Sequence, residues 1–427
     1  MSKKKVSQRK TNKEKGAINA YLNRARTLSK ENQPETAIQV YKQAIGLDSS
    51  NATLHFELGR LQVKGRIFKD GIENLERALE LSPNMVPALL ELGQAHMKNN
   101  SLDKSVSVLE STLEIAPENP AANMAYGSIM QRLGELPKAV ESYKEALRLR
   151  LNFPTKKQES KLKTDFGKQS TEELLWDTLS LLAKAGIHAF ASYGTLLGLI
   201  RDGELLPFDK DLDFGLPQSE MEKACQCLER NGWVPIDIGA ITNPRAFLHP
   251  VKEVTLDLSG FVVDPETGDT FTGFWMNNIP YEWSRNTKYI DIELYKDESP
   301  TGQPIWSLAN PEAWLEVIYG DWKTPDPYFD TVIAAKNLCG FSLLTQCYAY
   351  SRIFSHWEKG NYIKAKAITE CCLKYKHESL LKEIIVHLNE VAGANEKTEK
   401  NLNLDKGHVD PDFLKNIAGN SAKNFNL

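Results

Sequence analysis

From residue 17 to 150, polar stretches alternate with apolar residues at helical spacing, and small side chains return every 34 positions. One series runs Ala25, Gly59, Gly93, Gly127; a second Ala37, Gly71, Ser105, Ala139; a third Ala44, Ala78, Thr112, Ala146. Three series in one register mark an internal repeat. The small residues predict where two helices of a hairpin approach closely, while Leu58, Leu92, Tyr41 and Tyr143 fill the space between hairpins. Pro83 and Pro117 close two of the units. From 171 the texture changes. TEELLWDTLSLLAKAG places Leu174, Leu175, Leu179, Leu181 and Leu182 largely on one helical face, and Gly186 stops it. IHAFASY (187–193) predicts a short buried strand, GTLLGLIRDG a short helix, and FDKDLDFGL (208–216) a second strand. VTLDLSGFVVD (254–264) alternates as a further strand. Residues 341–390 return to helical texture, and WEKGNYIKAKAITECCLKY (357–375) predicts another hairpin, with Gly360 in the turn and Ala365 at a packing position.

The 34-residue period resembles that of the tetratricopeptide repeat, four of which fit residues 17–150. The resemblance implies an all-α solenoid, since each hairpin buries its apolar face only against its neighbours. Its concave face would hold a peptide or protein partner; docking on the rest of the chain or self-association is the alternative. The expected organisation is a disordered basic tail (1–16), the repeats (17–150), a linker (151–170), a second domain (171–330), a helical C-terminal region (331–392) and a disordered tail (393–427).

Composition changes this picture little. With 41% hydrophobic and 25% charged residues, packed cores are expected, and a net charge of −4 argues against a nucleic-acid-binding surface covering the molecule. No apolar run approaches the ~20 residues of a membrane span. MSKKKVSQRKTNKEK lacks the apolar middle of a secretory signal and reads as a flexible tail, capable at most of weak peripheral contact with an anionic membrane. Cys225, Cys227, Cys339, Cys347, Cys371 and Cys372 form no CxxC pair, so reduced thiols in a cytoplasmic protein are expected.

The candidate chemistry lies after residue 190. Alternate side chains of a strand share a face, so Asp209, Asp211 and Asp213 project together while Leu212 and Phe214 enter the core. Three such carboxylates repel one another unless a cation sits between them. Mg²⁺ (or Mn²⁺) suits, taking hard oxygen ligands from carboxylates and substrate phosphates. An acidic outer face of an edge strand is the alternative. Gly194 lets the backbone approach a ligand, Thr195 can cap the following helix, and that helix N-terminus offers free N–H groups to an anion. Arg201 either neutralises a phosphate or makes a surface salt bridge. Trp275, Tyr281 and Trp283 either stack a ring or pair across strands. Arg245, His249 and Lys252 are further phosphate candidates, and His356, Cys371, Cys372 and His377 show no metal-ligand spacing.

The segment YGTLLGLIRDGELLPFDKDLDFGL (193–216) resembles the LicD/fukutin family of phosphotransferases, with its Gly-Thr-Leu-Leu-Gly helix, Arg, and Pro-aromatic-Asp-x-Asp-x-Asp strand. PEAWLEVIYGDWKTP (311–325) is similar to the family's closing Leu-x-x-x-Tyr-Gly-x-Trp-x-x-Pro. The resemblance covers roughly 170–330 and implies an α+β nucleotidyltransferase-like domain behind the solenoid, making a multidomain protein. It implies Mg²⁺-dependent transfer of phosphocholine, phosphoribitol or a similar phospho-alcohol from a CDP-activated donor to a glycan acceptor. It also implies metal ligation by Asp211, Asp213 and Asp257, the last as ligand or as base, and donor contacts at Gly194, Thr195, Arg201 and Asp209. Ser259-Gly260 departs from the family, where bulkier residues are frequent, and Asp264 is a fallback for Asp257. The YGDW motif (319–322) is expected to pack rather than to catalyse. Nucleotide transfer on the same fold, or a repeat scaffold with a degenerate transferase domain, are the competing readings. Because every expected ligand lies beyond residue 155, a chain starting there is expected to keep the site.

Overall fold

The computed structural model describes residues 2–153, 168–207, 211–277 and 279–404. Eight helices form four hairpins: α1 (Ser2–Lys30) with α2 (Pro34–Leu47), α3 (Ala52–Lys64) with α4 (Phe68–Leu81), α5 (Val86–Lys98) with α6 (Leu102–Ile115), and α7 (Pro120–Leu133) with α8 (Leu136–Arg150). Asn119 caps α7, its Oδ1 accepting from the Ala121 and Ala122 N–H groups at 2.9 and 3.1 Å, and Pro120 follows at the first helical position. Small side chains sit at the hairpin crossings as their period requires. A Cβ on Gly127 would lie 2.7 Å from the Tyr143 ring, and Ser105 Oγ donates to the Gly93 carbonyl at 2.8 Å. Residues 2–16, expected as a disordered tail, instead continue α1. No proline precedes Pro34, and the Lys, Arg, Gln and Glu residues of the segment are good helix formers. Of the expected linker, 154–167 lies outside the described residues.

The second domain begins with α9 (Lys168–Lys184), ending at Gly186, whose φ is +68°. Then come β1 (Phe190–Ala191), α10 (Tyr193–Arg201), β2 (Asp211–Pro217), α11 (Met221–Arg230), β3 (Val234–Ile236), β4 (Ile241–Asn243), β5 (Arg245–His249) and β6 (Val254–Val263). They are followed by β7 (Thr270–Met276), β8 (Arg285–Tyr289), β9 (Leu294–Glu298), β10 (Pro304–Leu308) and α12 (Pro311–Tyr319). The main sheet runs β1-β2-β6-β5-β3, with β7 joining the far end of β6 and pairing β4 and β8; β9 and β10 form a separate hairpin. Among the described residues, only β2 and β6 pair in parallel. One face of the sheet buries Leu212, Phe214, Leu256 and Leu258 against Leu175, Leu179 and Leu182 of α9 and Leu228 of α11. On the other face Phe190, Phe261 and Tyr289 pack with Trp314 of α12 and Leu196 and Leu197 of α10. The Ser259-Gly260 departure has a local cause. A Cβ at residue 260 would fall 1.7 Å from Gln218 Oε1, and the buried Asn243 side chain both accepts from the Gly260 N–H (2.7 Å) and donates to the Gly273 carbonyl (2.7 Å).

The chain then returns to the solenoid. α13 (Leu343–Glu358) and α14 (Tyr362–Leu373) form the hairpin expected around Gly360 (φ +76°) and Ala365, and α15 (Ser379–Leu404) packs behind them. This hairpin stacks on the fourth repeat: Leu344, Tyr350, Ile353 and Trp357 share one core with Ile129, Leu136, Tyr143 and Leu147. Ala365 and Cys372 stand seven residues apart, as Ala139 and Ala146 do, and all four are buried. Arg150, 3% exposed, pairs with Glu358 and lies over the Trp357 ring at 5.2 Å. The sheet domain is thus carried between the fourth hairpin and a fifth, and a cut near residue 155 divides one hydrophobic core. Residues 393–404 continue α15 rather than a disordered tail, and 405–427 lies outside the described residues.

Candidate active site

The acidic face is built by β2 and β6, which place Asp213 opposite Asp257 and Asp211 opposite Thr255. With Leu212, Phe214, Leu256 and Leu258 buried on the far side, the period of two turns the aspartates to the near side. They line a cleft of about 520 Å³ together with Tyr193, Gly194, Ser259 and Arg285. Burial, and then the charge of Asp211, push the Asp257 carboxyl up to about 7. Water is too scarce there to solvate a second charge beside the first.

Asp213 is anchored differently. The Gly194 N–H donates to its Oδ2 at 3.1 Å, and its own backbone N–H donates to Thr195 Oγ1 at 2.8 Å. Thr195 is fully buried, so it pins β2 to α10 instead of capping the helix; the cap position belongs to Ser192. The N–H group expected to face an incoming anion faces the Asp213 carboxylate, which supplies the negative charge that a helix N-terminus favours. Among the described residues no group of three or more His, Cys, Asp and Glu side chains converges to hold a metal ion. Asp211, Asp213 and Asp257, the aspartates expected from the sequence, nonetheless line one cleft, with Asp213 also accepting from the Gly194 N–H. Asp209 lies outside the described residues.

Arg201 does not join the carboxylates. It makes a two-bonded pair with Asp202, both contacts 2.9 Å, and lines an adjacent cleft of about 430 Å³ with Tyr319, Trp322 and Lys336. The two clefts share Gly194, Phe329 and Thr331. The YGDW segment packs as expected: Trp322 is 8% exposed and the Tyr319 ring lies 5.1 Å from that of Phe329. Trp275, Tyr281 and Trp283 line neither cleft. Trp275 Nε1 donates to Asn286 at 2.8 Å, Trp283 packs on the solenoid core, and Tyr281 is exposed. Arg245, His249 and Lys252 also lie away from both clefts.

The rest of the cleft wall holds residues that sequence reasoning did not place at the site: Arg285 from β8, Asp330, Arg352 and His356 from α13, and Lys364 from α14. Arg285 is 5% exposed and donates to the carbonyls of Val332 (2.6 Å) and Thr331 (2.9 Å). Lys364 Nζ donates to the carbonyls of Tyr328 (2.8 Å) and Phe329 (2.5 Å), while Arg352 pairs with the buried Asp330 at 2.9 Å. Burial lowers the Arg285 and Lys364 pKa values. Burial first, and then the charge of Lys364, take His356 down to about 4, leaving it neutral. The only local signal was Arg352 and His356 one helical turn apart; nothing in the sequence tied them to residues 211–257.

Residues 186–236 match the family described as LicD/FKTN/FKRP, nucleotidyltransferase domain. Residues 25–64 and 68–127 match tetratricopeptide repeat families. The solenoid is similar to solved repeat proteins. MamA from Desulfovibrio magneticus RS-1 is 20% identical with a TM-score of 0.29, covering 31% of this chain and 75% of that one. YrrB, described as a tetratricopeptide protein with an unusual peptide-binding site, is 25% identical with a TM-score of 0.27, covering 30% and 66%. The second such domain of human RPAP3, solved with an HSP70 peptide, is 22% identical with a TM-score of 0.26, covering 27% and 97%. No curated protein matches the chain. The chain thus carries a LicD-type segment preceded by tetratricopeptide repeats, and no described helix is long and apolar enough to cross a membrane.

Proposed function

We propose that the protein transfers a phosphorylated alcohol from a CDP-activated donor to a glycan hydroxyl, with a divalent cation, while the repeats recruit a protein partner. The observation that carries this reading is the parallel β2–β6 pair, which sets Asp211 and Asp213, inside the LicD-type segment, beside Asp257 at one cleft. The donor set fits Mg²⁺ or Mn²⁺. Such an ion typically takes one or two protein carboxylates and completes its shell with water and substrate phosphate, so a three-residue cage is not required. An acid whose pKa is raised by burial, and then by a neighbouring carboxylate, is also one whose ionisation a cation would favour.

Asp211 and Asp257 are the residues that would hold the ion. Asp213, tied to Gly194 and Thr195, keeps β2 and α10 in the register that presents them. When bound, the ion supplies charge neutralisation to the donor phosphates and to the departing oxygen. The acceptor hydroxyl attacks the phosphorus that bears the alcohol. Its proton passes to a carboxylate of the acidic face, and cytidine monophosphate leaves, with no covalent bond to the protein.

The test is mass spectrometry of reactions containing acceptor, Mg²⁺ and a panel of CDP-alcohols. Cytidine monophosphate and a product gaining one phosphodiester with its alcohol are expected. Nucleotide-tagged acceptor with pyrophosphate would overturn the reading.

A further inference from the structure

Three cationic side chains reach one cleft from three elements. Arg285 comes from β8, and Arg352 and Lys364 come from the two helices of the fifth hairpin. Each is bonded to the segment 328–332: Arg285 to the Thr331 and Val332 carbonyls, Lys364 to those of Tyr328 and Phe329, and Arg352 to the Asp330 carboxylate. Four of these five acceptors are neutral carbonyls, which orient a cation without cancelling its charge. Asp330 is the only carboxylate of this wall. Arg285, 5% exposed, is also withdrawn from water and would interact strongly with an anion entering the cleft, while Arg352 and Lys364 are part-exposed at its edge. The depressed pKa of His356, to which the charges of Lys364, Lys359 and Arg352 contribute after burial, reports the same positive field.

The same cleft is lined by Asp211, Asp213 and Asp257. The cleft thus presents both acidic and cationic side chains. It suits a ligand that is anionic on one side and bridged to the acids by a divalent ion on the other. A diphosphate with its metal is that chemistry. We infer that Arg285, Arg352 and Lys364 clamp the diphosphate of the substrate, so that the fifth hairpin of the solenoid is a working part of the transferase site. This deepens the proposed function and rests on it for the nature of the group attached to the diphosphate. The clamp itself requires only the diphosphate. Arg suits the wall because its planar fork meets phosphate oxygens while keeping other donors on the segment below.

The test is calorimetric binding to the full chain in Mg²⁺, with inorganic pyrophosphate, cytidine diphosphate and cytidine monophosphate as probes. Arg352→Gln and Lys364→Gln are each expected to weaken pyrophosphate and cytidine diphosphate by at least about tenfold, the usual worth of a charge-assisted hydrogen bond. They should weaken cytidine monophosphate less, so that the diphosphate-to-monophosphate preference falls. A residue that only anchored the 328–332 segment would weaken all three probes alike. Lys364→Arg, which keeps the charge, should retain the preference, and it keeps the test open if a Gln variant fails to fold. Unchanged diphosphate affinity in both Gln variants, equal losses for all probes, or no binding of pyrophosphate to the wild type would overturn the clamp. Pyrophosphate binding that depends on the clamp, with no binding of either cytidine nucleotide, would support the clamp and sink the donor reading instead.

Discussion

Replacing Asp257 by Asn should stabilise the metal-free protein, and only above acidic pH. Burial and the Asp211 charge lift the folded-state pKa of Asp257 from 3.8 to about 7. In the unfolded chain the same carboxyl ionises at its ordinary value. Between those two values the folded state holds a proton that the unfolded state has released, so stability falls as pH rises across that window and levels off above it. About three units at 1.36 kcal/mol each set a ceiling of ~4 kcal/mol at pH 8. Contact with cleft water brings the expected figure to ~2 kcal/mol. Asn keeps the volume and cannot ionise, so it escapes this loss. For a domain of this size ~2 kcal/mol corresponds to a rise in melting temperature of ~4–8 °C. Melts in chelator from pH 4 to 8 should show the two proteins alike at pH 4 and separating as pH rises. Adding Mg²⁺ at pH 8 should then raise the wild type's melting temperature and leave Asp257→Asn nearly unmoved. Parallel pH profiles for the two proteins would refute the claim that Asp257 is a buried acid beside a charged neighbour.

Other perturbations probe separate links. Asp211→Asn removes charge from the acidic face without changing volume, so turnover of a CDP-alcohol should drop at least ~10³-fold with a melting temperature no lower than that of the wild type; activity within a few-fold of wild type would remove Asp211 from the site. Thr195→Val takes away the acceptor of the buried Asp213 N–H and should cost ~1–3 kcal/mol in denaturant titration, because the N–H is left unpaired. A chain beginning at residue 155 should be insoluble or bind a hydrophobic dye, since it uncovers Leu344, Tyr350, Ile353 and Trp357; a soluble monomer with native melting would show that the fifth hairpin stands without the fourth.

The repeats and the acidic strand were legible because each is written in local spacing. A 34-residue period of small residues records a close helix crossing that recurs identically in every hairpin, and alternation around Asp211 and Asp213 records one buried and one open face. The glycine-threonine turn and its helix were legible for the same reason. What their polar groups bond to was not, because a helix N-terminus satisfied by Asp213 looks, in sequence, like one waiting for a phosphate. Arg201 reads as ligand or as salt bridge, and only the side-chain conformation shows that it bonds its sequence neighbour Asp202, at 2.9 Å. The largest difference is one of connectivity. A period search finds units that neighbour one another in sequence, and the fifth hairpin is separated from the fourth by the whole sheet domain. Its apolar face is complementary to α8 only in space, as Tyr143 and Leu147 meeting Tyr350 and Trp357 show. The amino-acid sequence alone therefore determined which elements form and which face of β2 is acidic, since both follow from contacts a few residues long. Tertiary structure alone decided that a fifth hairpin stacks on the fourth and brings Arg352 and Lys364 to the cleft that Asp211 lines, because burying the exposed end of the fourth repeat requires a partner nearly two hundred residues away.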